Sequence, residues 1–136
     1  MDYERFRTFR NTQNPYAKRL GIYVEELRPG YARAVKTVTE EDLNPAHVPH
    51  GGVYFSLADT ACGSALAAYG NVCLTISSSL SFLKSAKAGD RLTAEARELQ
   101  NGRSVCVLEV RVTGEDGALL AAGTFTFRRL EKKIEL

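Results

Sequence analysis

Asn44–Tyr69 reads NPAHVPHGGVYFSLADTACGSALAAY, and the fold turns on how this stretch is read. From Gly51 onward, Val53, Leu57, Thr60, Ala61, Ser64 and Ala68 fall at helical spacing. That spacing predicts one long central helix over Gly51–Tyr69. Gly70-Asn71 ends it, since Gly is favoured just past a helix C-terminus. The second half of the helix is rich in Gly, Ala and Ser. Small side chains let a helix lie close to another backbone, here a sheet that wraps round it.

Downstream, the chain is strand-like throughout. Val72–Leu83 is expected as a long strand, with Leu74, Ile76, Leu80 and Phe82 on one face and Thr75, Ser77, Ser79 and Ser81 on the other. Asp90–Gln100 alternates, setting Leu92, Ala94 and Ala96 against Thr93, Glu95 and Arg97. Asn101-Gly102 reads as a two-residue hairpin turn, because both residues tolerate positive φ. Arg103–Thr113 points Cys106, Leu108, Val110 and Val112 inward. After the turn Glu115-Asp116-Gly117, Ala118–Arg128 is the last strand, with Phe125 and Phe127 on one face.

Upstream, residues 2–20 read as one broken helix, restarted by Asn14 as cap and Pro15 at the first helical position. Ile22–Arg28 and Tyr31–Val38 read as strands about a Pro29-Gly30 turn. Thr39–Pro49, with Pro45 and Pro49, reads as a loop. Short turns imply antiparallel pairing. The class is therefore α+β, one long apolar helix against a curved antiparallel sheet of five or six strands.

Composition narrows the function classes. The 136 residues fit a single domain over 1–136, with 1–20 as a helical extension, long enough to bury a core. A net charge of +2, evenly spread, argues against nucleic acid as the main partner. The charged start Met1–Arg7 lacks the apolar core of a signal peptide, and no apolar run approaches a membrane span. Cys62, Cys73 and Cys106 are odd in number and form no C-x-x-C pattern, so buried thiols in a reducing compartment are expected. Together these point to the cytoplasm.

Within the opening stretch, three features bear on chemistry. Gly51-Gly52 stands where the helix begins. A ligand can approach a backbone without side chains, and the first helical N–H groups have no internal partner, so they could hold a developing oxyanion. A plain loop-to-helix junction would look the same. Asp59 interrupts an otherwise small and apolar helix, as a general base, as a nucleophile or as a solvent-facing charge. His47 and His50 resemble a metal pair, but zinc needs about four ligands and no further candidates lie nearby. No metal site is expected. His50 is expected to shape the turn.

His50-Gly51-Gly52-Val53-Tyr54-Phe55-Ser56-Leu57-Ala58-Asp59 resembles the signature of the PaaI-type phenylacetyl-CoA thioesterases, a family of hotdog-fold proteins. Asn44, six positions before His50, fits the same pattern. The resemblance continues through Thr75, Phe82-Leu83-Lys84-Ser85-Ala86, Gly89-Asp90 and Gly123-Thr124-Phe125, covering roughly residues 14–130. It implies a hotdog fold and hydrolysis of acyl-CoA-type thioesters, aryl or short to medium in the acyl part. Asp59 matches the catalytic carboxylate, either activating water or attacking the carbonyl. Gly51 matches the residue whose N–H polarises that carbonyl. Asn44 and His50 match residues that position water or shape the pocket, and Thr75 stands where Ser or Thr lies near the carboxylate. CoA is then part of the substrate, and no cofactor is implied. Gly52, Phe55, Leu80 and Phe82 are candidates for the substrate pocket. Lys84, with Lys87, Arg91 and Arg103, is a candidate for the CoA phosphates or a solvated basic rim.

Gly51 and Asp59 lie eight residues apart, roughly 12 Å along one helix at 1.5 Å per residue. One carbonyl cannot touch both on the same helix. An antiparallel second helix could bring Asp59 of one chain to Gly51 of another. The resemblance implies the same, a homo-oligomer (dimer or dimer of dimers) with sites at the subunit interface. Two rivals remain, a hotdog module that binds acyl-CoA without hydrolysis and a hotdog enoyl-CoA hydratase or dehydratase. The second usually places its His differently relative to the Asp. No G-x-S-x-G elbow suggests an α/β-hydrolase.

Overall fold

The computed structural model describes residues 2–136. Helix α1 (Tyr3–Thr12) starts at Asp2, whose carboxylate accepts the Glu4 and Arg5 N–H groups. Helix α2 (Pro15–Leu20) is capped by Asn14, which accepts from Ala17 N–H, and it stops at Gly21 with φ of 71°. Strands β1 (Tyr23–Arg28) and β2 (Tyr31–Thr37) follow, joined through Gly30. The expected loop contains a 3-10 turn at Glu40–Asp42. Central helix α3 spans Gly51–Ala67, two residues shorter than its periodicity suggests. Strands β3 (Asn71–Phe82), β4 (Arg91–Asn101), β5 (Val105–Thr113) and β6 (Leu119–Lys133) complete the chain.

The six strands form one antiparallel sheet in the order β1-β2-β4-β5-β6-β3. Helix α3 touches every strand of it. The small residues make this possible, since Ala58, Ala61, Cys62, Ser64 and Ala65 are all fully buried. Larger side chains there would hold the helix off the sheet. Leu92, Ala94 and Ala96 of β4 and Leu108, Val110 and Val112 of β5 meet it with no exposure, as their alternation implies. Phe125 and Phe127 of β6 point the same way.

Two local expectations need correction. Cross-strand partners share a face, so register fixes orientation. Thr75 pairs with Phe127, and Ser77 with Thr126, leaving Ile76 as an extra residue. This bulge reverses the alternation. Thr75 therefore shares the inner face with Ser78, Leu80 and Phe82, while Leu74 lies outside with Ser77, Ser79 and Ser81. A single-period reading cannot see the inserted residue. The second correction concerns Asn101-Gly102. Asn101 is the last residue of β4 and pairs with Cys106, so residues 102–104 make the connection. Gly102 has no positive φ. A Cβ there would lie 2.4 Å from the Val105 carbonyl oxygen, so close approach explains the glycine.

Candidate active site

Asp59 occupies the middle of α3, half-buried, on the face turned to β3 and the N-terminal helices. It lines a cleft of about 390 Å³ with Arg10, Tyr16, Phe55, Gly63, Cys73 and Thr75 among its neighbours. The β3 bulge matters here, because it aims Thr75 inward. Thr75 Oγ1 donates to Asp59 Oδ1 at 2.6 Å. Burial raises the Asp59 carboxyl above its ordinary range, and the Thr75 hydrogen bond and the Arg10 charge oppose that rise. The buried Cys62 thiol is pushed well up, by burial first and then by the charge of Asp59. A partly desolvated carboxylate at an open cleft has what a general base or a nucleophile needs.

Phe55 is 38% exposed and packs its ring 5.1 Å from that of Phe125, forming an aromatic wall one turn before Asp59. Tyr16 of α2 reaches the same cleft, with its hydroxyl 3.0 Å from Ser56 Oγ.

Other proposed residues gather at the N-terminus of α3. His50 caps the helix, its Nδ1 accepting the Gly52 N–H at 2.8 Å. Val53 N–H bonds the His50 carbonyl at 2.9 Å. Among the described residues the Gly51 N–H has no hydrogen-bond partner. Gly52, by contrast, is committed to the cap. A Cβ on Gly51 would lie 3.3 Å from Phe82 Cζ, so that ring covers the helix start, with its centroid 5.9 Å from that of Tyr54 and the two rings tilted. Leu80 lies on the same inner face of β3, packed against the core.

Asn44 serves its own loop. Its Oδ1 accepts from Ala46 N–H at 2.9 Å and Val48 N–H at 3.4 Å. The loop is held further by Asp42, whose carbonyl accepts the His50 N–H at 2.9 Å. Asp42 in turn pairs with Lys36 at 3.0 Å, both nearly inaccessible although close under the surface. His47, with φ of 62°, adopts a left-handed backbone in this loop. Lys84 and Lys87 share a separate cavity of about 570 Å³ with Val48 and Asp90. Arg91 instead pairs with Glu25 at 2.5 Å, and Arg103 sits in the distant β4–β5 connection. Among the described residues no group of three or more His, Cys, Asp or Glu side chains could hold a metal ion. None of the described helices is long and apolar enough to cross a membrane.

One chain thus unites Asp59, Thr75 and Phe55 at one place and Gly51, Gly52, His50 and Phe82 at another, with Leu80 on the inner face of β3. Arg10, Tyr16, Gly63 and Cys73 were not legible as site residues. They reach Asp59 through tertiary packing of α1, α2 and β3, which no spacing in the sequence encodes.

Comparison with known proteins bears on this geometry. The family model described as thioesterase superfamily matches residues 47–121. The acyl-coenzyme A thioesterase PaaI of Escherichia coli K12 is 34% identical over 105 residues, covering 77% of this chain and 75% of that protein. The structure of the E. coli PaaI protein from the phenylacetic acid degradation operon superposes with a TM-score of 0.93 at 28% identity, over 98% of this chain and 96% of that one. A Streptococcus mutans protein solved bound to acetyl-CoA gives 0.79 at 30% identity, over 83% and 91%.

Proposed function

Because the chain belongs to the thioesterase superfamily and has the hotdog fold, we propose that it hydrolyses acyl-CoA thioesters at a site completed by two copies of itself. The observation that carries this reading is the half-buried Asp59, raised by its surroundings and held by Thr75 at the wall of an open cleft.

In this reading the thioester carbonyl lies between the Asp59 carboxylate of one chain and the free Gly51 N–H of another. Asp59 takes a proton from water as the water oxygen attacks the carbonyl carbon, or it attacks first and water cleaves the resulting anhydride. Negative charge grows on the carbonyl oxygen, where the N–H at the α3 start offsets it. The C–S bond then breaks, and CoA leaves as a thiolate that needs no strong acid. The free acid is the other product. No resident cofactor enters any step, since CoA belongs to the substrate.

The two-chain arrangement is supported by the separation of the half-sites along one rigid helix. The aromatic wall of Phe55 in one copy and Phe82 in the other would face an aryl or short-to-medium acyl group. Lys84 and Lys87, which share one cavity, would meet the CoA phosphates, and the acetyl-CoA bound to the S. mutans relative supports a CoA ligand. Three free thiols accord with a reducing cytoplasm.

Free-thiol release from a panel of acyl-CoA esters tests the proposal. Turnover by the wild type and its loss in Asp59→Asn are expected. Tight binding of the same esters without thiol release would instead identify a binding module.

A further inference from the structure

Arg10 is the cation that faces Asp59, and no spacing or motif assigns it a role. It lies on α1, outside the residues 47–121 that match the family model. Its Nε donates to Ser64 Oγ at 3.0 Å, and its Nη2 reaches the Thr60 carbonyl at 3.4 Å. Ser64 is fully buried and itself donates to the Thr60 carbonyl at 2.7 Å. These partners are neutral. Among the described residues no carboxylate lies within ion-pair distance of Arg10. A guanidinium partly withdrawn from water is costly without a compensating charge.

Asp59 is the one carboxylate lining the cleft that Arg10 also lines. On its other side Arg10 borders a cavity with Glu135, Lys132 and Lys133, where cations outnumber the acid. The helix is shaped for this crossing. A Cβ on Gly63 would lie 3.1 Å from Arg10 Nη2, so α3 carries glycine where the guanidinium passes over it.

We propose that Arg10 is a positioning residue, through which the N-terminal helix supplies the positive charge that a desolvated Asp59 needs. Helix α1 is then part of the catalytic apparatus. The consequence for turnover rests on the thioesterase reading, whereas the electrostatic statement concerns Asp59 alone. The groups facing Asp59 are Arg10 from α1, Tyr16 from α2, Cys62 from α3, and Cys73 and Thr75 from β3. Arg10 is the only cation among them. Burial pulls its guanidinium down, and the charge of Asp59 opposes this, as expected of groups that feel each other.

The test is a ¹³C titration of the Asp59 carboxyl in the full-length protein, paired with the pH profile of kcat/KM. Arg10→Gln keeps an amide N–H for Ser64 and is read alongside Arg10→Met in case the latter does not fold. Both are expected to move the Asp59 midpoint upward, and Arg10→Lys, which keeps the charge, to leave it near the wild-type position. Turnover lost in Arg10→Gln below the shifted midpoint should return above it, where the carboxylate is ionised regardless. An unmoved midpoint, or an equal loss below and above it, would overturn the proposal. The two readings separate cleanly. A midpoint that moves in a protein without thiol release sinks the thioesterase reading alone. A fixed midpoint in an active, Asp59-dependent enzyme sinks the role of Arg10 alone.

Discussion

Thr75 Oγ1 donates to Asp59 Oδ1 at 2.6 Å, so a carboxylate in the middle of α3 is held from the neighbouring edge strand. Burial raises Asp59, and this hydrogen bond is the larger of the two effects opposing the rise. Thr75→Val removes it and leaves burial less opposed. The acid limb of kcat/KM should move to higher pH, and the loss of turnover should be largest below the shifted midpoint and smallest above it. Thr75→Ser should retain most of the activity. Steady-state kinetics across pH read both outcomes.

The same raised carboxyl has a consequence for stability. An acid whose folded pKa exceeds its unfolded value binds more protons when folded, so stability falls as pH rises between the two values and levels off above the folded one. Asp59→Asn removes the desolvated charge. Its Tm should exceed that of the wild type at about pH 8, and the gap should close as pH falls through the folded pKa of Asp59. Thermal melts of both proteins across that range check the sign.

Asp42 shows the opposite sign. Burial would raise it, but the Thr39 N–H and the Lys36 ammonium outweigh burial and hold its carboxyl below the usual carboxylate range. Its stabilisation is present above the unfolded value and is lost as pH falls through the folded one. Asp42→Asn leaves Lys36 without its anion. The pair is nearly inaccessible but shallow, so the cost should be about 2 kcal/mol, below that of a deeply buried pair. Urea unfolding at neutral pH measures it, and the difference should vanish in acid.

The helix start gives a further expectation. His50→Ala deletes the acceptor for the Gly52 N–H and should cost about 1 kcal/mol. His50→Asn, whose side chain can also cap, should recover most of that stability in the same unfolding experiment.

At Gly123 the sheet itself is at stake. A Cβ there would lie 1.9 Å from the Ser79 carbonyl oxygen and 2.8 Å from Leu80 Cα. Both atoms are backbone, so β3 would have to move off β6. Gly123→Ala should destabilise by about 3 kcal/mol and loosen Thr75 from Asp59. Amide exchange along β3 would report that loosening directly.

Much of this arrangement is legible from residue spacing. The helical period after Gly51, the alternation in Leu92–Ala96 and Cys106–Val112, and the Asn14-Pro15 restart each encode a local preference that the tertiary structure keeps. Asp59 and Gly51 are singled out by being unlike their surroundings. What the sequence hides is non-local. The Ile76 bulge depends on pairing with β6, and it alone turns Thr75 toward Asp59. Arg10 comes to α3 from a helix separated from it by a second helix, two strands and a loop, with no shared periodicity. The separation of the half-sites could be estimated from the helical rise, yet the covering of Gly51 by Phe82 could not.

If Asp59 of one chain works with the Gly51 N–H of another, two inactive variants should complement each other. Gly51→Pro deletes that N–H at the first helical position, where proline is tolerated, and His50 already has the extended backbone (φ −57°, ψ 142°) that a following proline prefers. Asp59→Asn deletes the carboxylate. Each variant alone should release almost no thiol. Co-expressed in equal amounts, they should recover about a quarter of wild-type turnover, since half the dimers are mixed and each mixed dimer holds one intact site. Mixed dimers as inactive as the parents would place both groups in the same chain's site.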